Sequence, residues 1–295
     1  MRISNLIAAS TVAVGVILEI GAATAADLSA KAPVYKAPAA AAWSWTGFYL
    51  GANVGGVWSD NESFNAADPF NTFGLTGGFI PAATTGRGSG VVGGIHGGYN
   101  WQLGPQFLLG IEADISGADV KFSTRQQPLV STFTNSDSFF TSTMSVRALA
   151  SVRGRAGLVF GDWLLFGTGG WGWADTRFSA DSACVTTGVN SCNIGAHAPI
   201  SVDGSKNGAV FGGGFEYHMP NTSWIVGTEY LRYQLNGSSG TGVTSNIATG
   251  APVSFAGPPC TAGTACVNYN ASSLGLNEVR VRASYKFGGP VVARY

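Results

Sequence analysis

The chain has 295 residues, of which 43 are glycine and only 11% are charged, with 16 basic and 16 acidic side chains. Glycine is therefore about twice as frequent, and charge less than half as frequent, as in an average soluble domain. A net charge of zero excludes a nucleic-acid binder, which needs a basic surplus to neutralise phosphates. With 45% hydrophobic and 12% aromatic residues the chain is too apolar to be disordered, so the composition favours a membrane protein or a packed β structure.

Residues 1–26 have the pattern of a secretory signal peptide. A positive charge follows the first methionine, residues 6–20 are apolar apart from Glu19, and residues 23–25 form a small-x-small cleavage pattern. A membrane anchor is the alternative, but the apolar run is short and Glu19 interrupts it. We therefore predict export of the mature chain, which then begins with an Ala/Pro-rich periplasmic linker over residues 27–44.

After the signal, no stretch approaches the roughly 18 apolar residues that a membrane helix requires. A membrane-spanning form must then be a closed barrel, since only helices and closed barrels satisfy every backbone group in lipid. In residues 107–115 the odd positions are all apolar, whereas the even positions include Gly110, Glu112 and Asp114; this alternation of an apolar face with a small or charged one predicts a strand. Strands are predicted at 45–58, 91–101, 107–115, 144–158, 163–174 (where both faces are mostly apolar), 208–217, 224–234 and 278–287.

The connections between these segments alternate in length. A transmembrane barrel with both termini in the periplasm has long outer loops and short periplasmic turns in this order. We therefore predict an all-β, eight-stranded antiparallel up-and-down transmembrane barrel over residues 45–287, followed by a C-terminal tail at 288–295. The long connections are 60–89, 118–143, 176–205 and 236–273, and the short ones are 102–106, 160–162 and 218–223.

The tryptophans predict two aromatic girdles, because an indole ring prefers the headgroup region, where the ring is buried and the N–H stays hydrated. Aromatic residues that cap the core of a soluble sandwich are the alternative, but they do not account for two rings. The predicted girdles are Trp45, Trp101, Trp163 and Trp224 at the periplasmic interface and Trp58, Trp171 and Trp173 at the outer interface.

The strand faces opposite the apolar ones carry nearly balanced charges. An isolated charge in a poorly hydrated interior is costly, whereas a hydrogen-bonded ion pair recovers much of that cost. The third and fourth strands are neighbours in such a barrel, so Glu112 and Asp114 are expected beside Arg153 and Arg155. Eight strands leave an interior just wide enough for side chains, which makes a wide pore doubtful. The predicted lumenal network is Glu112, Asp114, Arg147, Arg153, Arg155, Glu216, Glu229, Glu278, Arg280, Arg282 and Lys286.

Four cysteines lie in the third and fourth long connections. An even number in an exported chain predicts disulfides, and among three connectivities the local one is the simplest. Their spacings match no zinc pattern, and two G-x-G-x-x-G matches open no helix of a βαβ unit, so we expect no metal and no cofactor. The local connectivity pairs Cys184 with Cys192 and Cys260 with Cys266.

Catalysis has little support in the sequence. The histidines are His96, which faces the lumen by parity, His197 in a loop, and His218 at a periplasmic turn. A membrane-barrel hydrolase or acyltransferase needs a Ser/His/acid set near the outer rim, where only His197 could reach loop serines and Asp203. We therefore expect the protein not to be an enzyme.

Residues 45–56, 152–157, 166–170, 229–233 and 279–287 taken together resemble the small, opacity-like outer-membrane β-barrel proteins of α-proteobacteria. The resemblance implies an eight-stranded barrel in the outer membrane of a Gram-negative bacterium. It also implies roles in envelope integrity and surface exposure, a disputed porin activity, and no catalytic residues.

We therefore expect a structural outer-membrane barrel that contributes to envelope integrity and surface interactions through its long outer loops. The expected partners are outer-membrane lipid and lipopolysaccharide, the barrel-assembly machinery, and an extracellular partner or phage, with no nucleic acid. A narrow channel for small solutes is the alternative function, and a secreted soluble β protein such as a lectin is a third. If the assembly machinery reads a terminal aromatic residue, either Phe287 or Tyr295 supplies it.

Overall fold

The computed structural model describes residues 43–67, 83–126, 138–184, 196–197, 199–243, 245–246 and 266–288. Within these ranges no helix is long and apolar enough to cross a membrane. The long strands are β1 (Gly47–Ser59), β4 (Ser89–Gln102), β5 (Phe107–Gln126), β6 (Ser138–Phe160), β7 (Trp163–Cys184), β9 (Ile200–His218), β10 (Trp224–Leu235) and β14 (Leu274–Lys286). The short strands are β2 (Glu62–Ala67), β3 (Ala83–Gly86), β8 (Ala196–His197), β11 (Ser238–Val243), β12 (Ser245–Asn246) and β13 (Cys266–Ala271).

The eight long strands close into one antiparallel barrel. They pair in chain order, β1 to β4 and onward through β5, β6, β7, β9 and β10 to β14. The first and last strands, β1 and β14, then pair with each other and complete the ring. The predicted all-β, eight-stranded antiparallel barrel is confirmed.

Alternation of side chains sorts the residues onto two faces of the barrel wall. In β1, Val54 is 64% exposed on the exterior, whereas Tyr49 is buried in the interior. The other barrel strands alternate in the same way, so an apolar band surrounds the barrel, as lipid requires. In β7, whose two faces could not be distinguished from the sequence, Leu165 and Trp171 point outward and Phe166 points inward.

Strands β5, β6, β7 and β9 continue beyond this band into segments that the sequence analysis assigned to long loops. In their outer parts the apolar side chains face the interior and the charged ones face the exterior, the reverse of the membrane part. Phe122, Met144 and Phe178 are buried inside, while Lys121 and Arg177 are on the exterior. The other four barrel strands, β10, β14, β1 and β4, are each adjacent in the chain to one strand of a second sheet. This sheet has the order β11-β13-β2-β3. The outer connections therefore contain an extension of the barrel with the apolar interior and polar exterior of a water-exposed β structure.

A β-bulge in β6 changes which residues face the lumen. The pairing of β6 with both neighbours skips Arg147, between Val146 and Ala148. Below the bulge the odd positions, such as Ser151, point inward, and above it the even positions, such as Met144, do so. One extra residue in a strand shifts the alternation, so that every side chain beyond it points to the opposite face of the wall. The prediction that Arg147 lines the lumen is therefore wrong, because the bulge turns this residue to the exterior.

Candidate functional site

The middle of the barrel interior holds a layer of buried ion pairs with Glu112 at its centre. Arg153 Nη2 donates to Glu112 Oε1 at 2.7 Å, and Arg155 Nη1 donates to Oε2 at 3.2 Å. Arg282 reaches the same carboxylate from β14 and donates to Oε1 at 3.1 Å. The Tyr49 hydroxyl donates to Oε2 at 2.7 Å. Three guanidinium groups and one phenol therefore share this carboxylate as an acceptor.

Glu229 of β10 is the second shared carboxylate of this layer. Its Oε1 accepts a hydrogen bond from Arg153 Nη1 at 2.7 Å. Its Oε2 accepts from Arg280 Nε at 2.9 Å and from Arg282 Nη1 at 3.0 Å. Arg153 and Arg282 thus each bridge Glu112 and Glu229. These charge-assisted bonds tie strands on opposite sides of the lumen together.

Three more carboxylates complete the layer. Arg155 Nη2 lies 2.7 Å from Glu216, and Arg280 Nη1 lies 3.0 Å from Asp114 and 3.5 Å from Glu278. All of these side chains are almost inaccessible to solvent. The layer thereby brings together, from the sequence-predicted network, Glu112, Asp114, Arg153, Arg155, Glu216, Glu229, Glu278, Arg280 and Arg282.

Two other predicted members lie outside this layer. Arg147 is on the exterior, where its Nε lies 2.9 Å from Asp175 and its Nη2 lies 3.3 Å from Asp203. Lys286 is buried at the periplasmic end of the lumen, where its Nζ lies 4.7 Å from the centre of the Trp43 ring. Its ammonium group donates to a backbone carbonyl at 3.4 Å, so the described structure gives it no carboxylate partner.

An apolar stopper fills the periplasmic end of the barrel. Trp45 is only 1% exposed and packs inside the wall, and Trp43 stacks on His218 with ring centres 3.5 Å apart. Gly47, with φ of 139°, lets the chain turn from the mouth into β1. The prediction that Trp45 belongs to the periplasmic girdle is wrong, because the segment before β1 enters the barrel. The stopper consists of Trp43, Trp45, Leu108, Val159, Leu164, Phe166 and Ile225.

The other predicted girdle residues lie on the exterior of the wall. Trp173 is half-buried there, and the remaining rings are 42–59% exposed. Neighbouring aromatic residues extend the periplasmic girdle, as in the contact between Trp163 and Tyr217 with ring centres 4.7 Å apart. The exposed rings are Trp101, Trp163 and Trp224 at the periplasmic end and Trp58 and Trp171 at the outer end.

Above the ionic layer the lumen is filled by an apolar core. Phe64 of the second sheet stacks on Phe178 of β7 with ring centres 5.7 Å apart, and it also contacts Phe122 of β5. Met144 and Val120 in the same cluster are fully buried. The interior therefore consists of three filled layers: an apolar stopper, an ionic layer and an apolar core. The sequence signalled the middle layer through its charges but did not signal the other two.

Glycines on the inner wall make room for the ionic layer. A Cβ atom at Gly98 would lie 2.5 Å from the Tyr49 hydroxyl and 2.3 Å from a backbone carbonyl, whereas one at Gly93 would meet nothing closer than 3.7 Å. We expect Gly98→Ala to lower the free energy of unfolding in detergent by about 1–3 kcal/mol, because overpacking displaces Tyr49. The matched control is Gly93→Ala on the outer face of the same strand, and an equal loss in both variants would contradict this explanation.

Several predictions concern residues that the structure does not describe. The signal peptide, most of the linker and most of the C-terminal tail lie outside the described ranges, and so do Cys192 and Cys260. The predicted disulfides therefore stay predictions; the backbone places Cys184 at the end of β7 and Cys266 at the start of β13. Among the described residues, no group of three or more His, Cys, Asp or Glu side chains has the geometry of a metal site.

The histidines considered for catalysis have structural neighbours. His197 Nδ1 lies 3.4 Å from Asp181, while Asp203 is 3.3 Å from Arg147. Buried His96 lies 2.7 Å from Ser284 Oγ, and His218 Nδ1 lies 2.9 Å from Asp162. The described contacts therefore do not join His197 to Asp203.

The comparisons with known proteins agree with this architecture. The chain matches the outer membrane protein beta-barrel domain over residues 28–287. It is 29% identical over 220 residues to the 31 kDa outer-membrane immunogenic proteins of Brucella melitensis biotype 1 and Brucella suis biovar 1, covering 71% of this chain and 79% of each relative.

Solved structures with a similar course of the chain include the outer membrane protease OmpT from Escherichia coli, with a TM-score of 0.42 and 8% identity over 85% of this chain and 100% of that one. Another is OprG from Pseudomonas aeruginosa, with a TM-score of 0.40 and 8% identity over 82% of this chain and 97% of that one. The match of the domain to nearly the whole barrel, together with the closed eight-stranded wall and its apolar band, shows that this chain belongs to the outer membrane protein beta-barrel family and resides in the bacterial outer membrane.

Proposed function

We propose that this protein is a structural, non-enzymatic barrel that supports envelope integrity and presents surface loops, and that it does not conduct solutes. The observation that carries the proposal is the filled interior. A solute on the barrel axis would have to pass the stopper around Trp45, the ionic layer around Glu112 and Glu229, and the apolar core around Phe64. Separating buried ion pairs leaves uncompensated charges, which is strongly unfavourable.

The outer extension supports the second part of the proposal. Strands β5, β6, β7 and β9 and the second sheet continue the wall beyond the apolar band, so the connections between them start farther from the membrane surface. The Brucella relatives are named outer-membrane immunogenic proteins, which is consistent with surface exposure of such connections. We propose that an extracellular partner or a phage is recognised there.

Conductance in planar lipid bilayers tests the closed interior. We expect the refolded full-length protein to insert without steady ion current, because buried side chains of the described residues occupy the lumen at three successive levels. A general porin of about sixteen strands, inserted in the same bilayer, is the positive control. Reproducible single-channel steps from this barrel would contradict the proposal and favour the narrow channel.

A deletion strain tests the envelope role. We expect loss of the gene to increase sensitivity to detergent and entry of large apolar antibiotics, and the wild-type gene to restore both. Uptake of small hydrophilic solutes should be the same with and without the protein. If complementation restores solute uptake but not detergent resistance, the protein acts as a channel.

A further inference from the structure

A polar notch lies on the outer surface of the barrel, where strands are interrupted between the membrane part of the wall and the second sheet. At this level two residues separate one strand from the next at four places along the chain. Two of these interruptions are residues 60–61, between β1 and β2, and residues 87–88, between β3 and β4. The notch has a volume of about 700 Å³. It is lined by Trp58, Ser59, Asp60, Asn61, Arg87, Gly88 and Ser89.

One side of the notch is held by a neutralised ion pair. Arg232 Nη1 donates to Asp60 Oδ1 at 2.9 Å, and its Nη2 donates to Oδ2. Asn277 Nδ2 donates to the same carboxylate at 3.1 Å. The hydrogen bonds from Arg232 hold the pKa of Asp60 below its usual value, so the carboxylate is charged at neutral pH. A Cβ at Gly275 would lie 2.6 Å from Asp60 Oδ2, so only glycine at this position leaves room for the ion pair.

Arg87 lies beside this pair, and its charge helps to lower the pKa of Asp60, but it forms no ion pair within 4 Å with a carboxylate of the described residues. Its Nε donates to the neutral amide oxygen of Asn61 at 2.5 Å. Other surface arginines of the described chain have a carboxylate within 4 Å: Arg147 has Asp175, Arg232 has Asp60 and Arg177 has Asp203. Asp60 is paired with Arg232, so the three side chains Asp60, Arg232 and Arg87 together carry one positive charge in excess, and Arg87 is exposed to solvent.

The surface below the notch is apolar and shallow. Trp58, in the outer girdle, forms the boundary between the notch and the apolar band. Toward the membrane centre, outward-facing Val54 and Val91 flank Gly56 and Gly93, whose missing side chains leave open space on the wall. An acyl chain can lie in the space that Gly56 and Gly93 leave between these valines, here called the furrow, while a group above it reaches Arg87. The combination fits an amphiphile with an anionic head and apolar chains.

We propose that the notch binds a phosphate of a phosphorylated glycolipid in the outer leaflet, with the phosphate at Arg87, the sugar ring against Trp58 and an acyl chain in the furrow. A guanidinium group and a phosphate form strong charge-assisted hydrogen bonds. Asn61 and Ser89 are exposed at the notch and supply polar groups that suit a sugar. The proposal deepens the envelope role proposed above, since it names one lipid that the barrel holds.

Native mass spectrometry of the full-length protein in detergent tests this site. The probes are bisphosphorylated lipid A, its dephosphorylated form, phosphatidylglycerol and inorganic phosphate. We expect one lipid A per barrel, with about tenfold weaker binding of the dephosphorylated form. Arg87→Gln should weaken lipid A binding by about tenfold. The matched control, Arg177→Gln, removes an exposed but carboxylate-paired guanidinium group and should change the affinity by less than about twofold.

Heat-modifiable migration on a gel first establishes that each variant is folded. Equal affinities of wild type and Arg87→Gln, or equal losses in Arg87→Gln and Arg177→Gln, would overturn the site. Phosphatidylglycerol that binds as tightly as lipid A would overturn the glycolipid as its ligand, and displacement of lipid A by inorganic phosphate alone would show a simple anion site. Failure of this proposal leaves the conductance result unchanged, whereas single-channel steps would refute the closed lumen without affecting lipid binding.

Discussion

Replacement of Glu112 by alanine is expected to lower the free energy of unfolding of the barrel in detergent by about 3–5 kcal/mol, because it removes the buried acceptor that three guanidinium groups and a phenol share and so breaks the ion-pair layer at its centre. Arg153, Arg155 and Arg282 all donate to this carboxylate, and so does Tyr49. The loss of one acid thus affects strands β1, β5, β6 and β14 together. The expected result is a lower temperature of heat-modifiable migration and a lower denaturant midpoint.

The matched control for Glu112→Ala is Asp119→Ala on the same strand. Asp119 pairs with Lys121 at 2.8 Å, but the two side chains are 69% and 68% exposed. An exposed pair of this kind contributes about 0–1 kcal/mol, so we expect almost no change in stability. A melting curve of Glu112→Ala that coincides with that of Asp119→Ala would refute a stabilising ionic layer.

Replacement of Trp45 by alanine is also expected to destabilise the barrel by about 3–5 kcal/mol, the usual loss for a fully buried large aromatic side chain. Trp45 packs with Leu108, Phe166 and Ile225 inside the periplasmic end. Its removal opens a cavity in the stopper that a rigid wall cannot close. Denaturant titration in detergent, followed by heat-modifiable migration, measures the change.

Trp101→Ala is the matched control at the same end of the barrel. Trp101 is 44% exposed on the exterior, so its replacement leaves no enclosed cavity and should cost less. Fluorescence separates the two positions further: brominated lipids should quench a variant that retains Trp101 as its single tryptophan, but not one that retains Trp45. Strong lipid quenching of Trp45 would place it in the girdle and contradict the stopper.

The sequence could predict part of the ionic layer, namely the contact between neighbouring strands. Glu112 of β5 and Arg153 of β6 are register partners, and their shared face follows from side-chain alternation. The contact of Glu112 with Arg282 could not be predicted in this way, because two strands, β4 and β1, separate β5 from β14 along the wall. Such a contact depends on the width of the lumen and on the reach of each side chain.

By itself the sequence determined the number of strands, their antiparallel order and the faces of most residues, because alternation and connection length are local properties of the chain. The tertiary structure decided where the pattern changes. A one-residue bulge turns Arg147 outward, and a turn at Gly47 brings Trp45 into the lumen. Neither the bulge nor the turn can be recognised from the local sequence pattern. Both depend on the free energy of packing against strands that are distant in the chain. The same packing determined that the barrel wall continues beyond the apolar band.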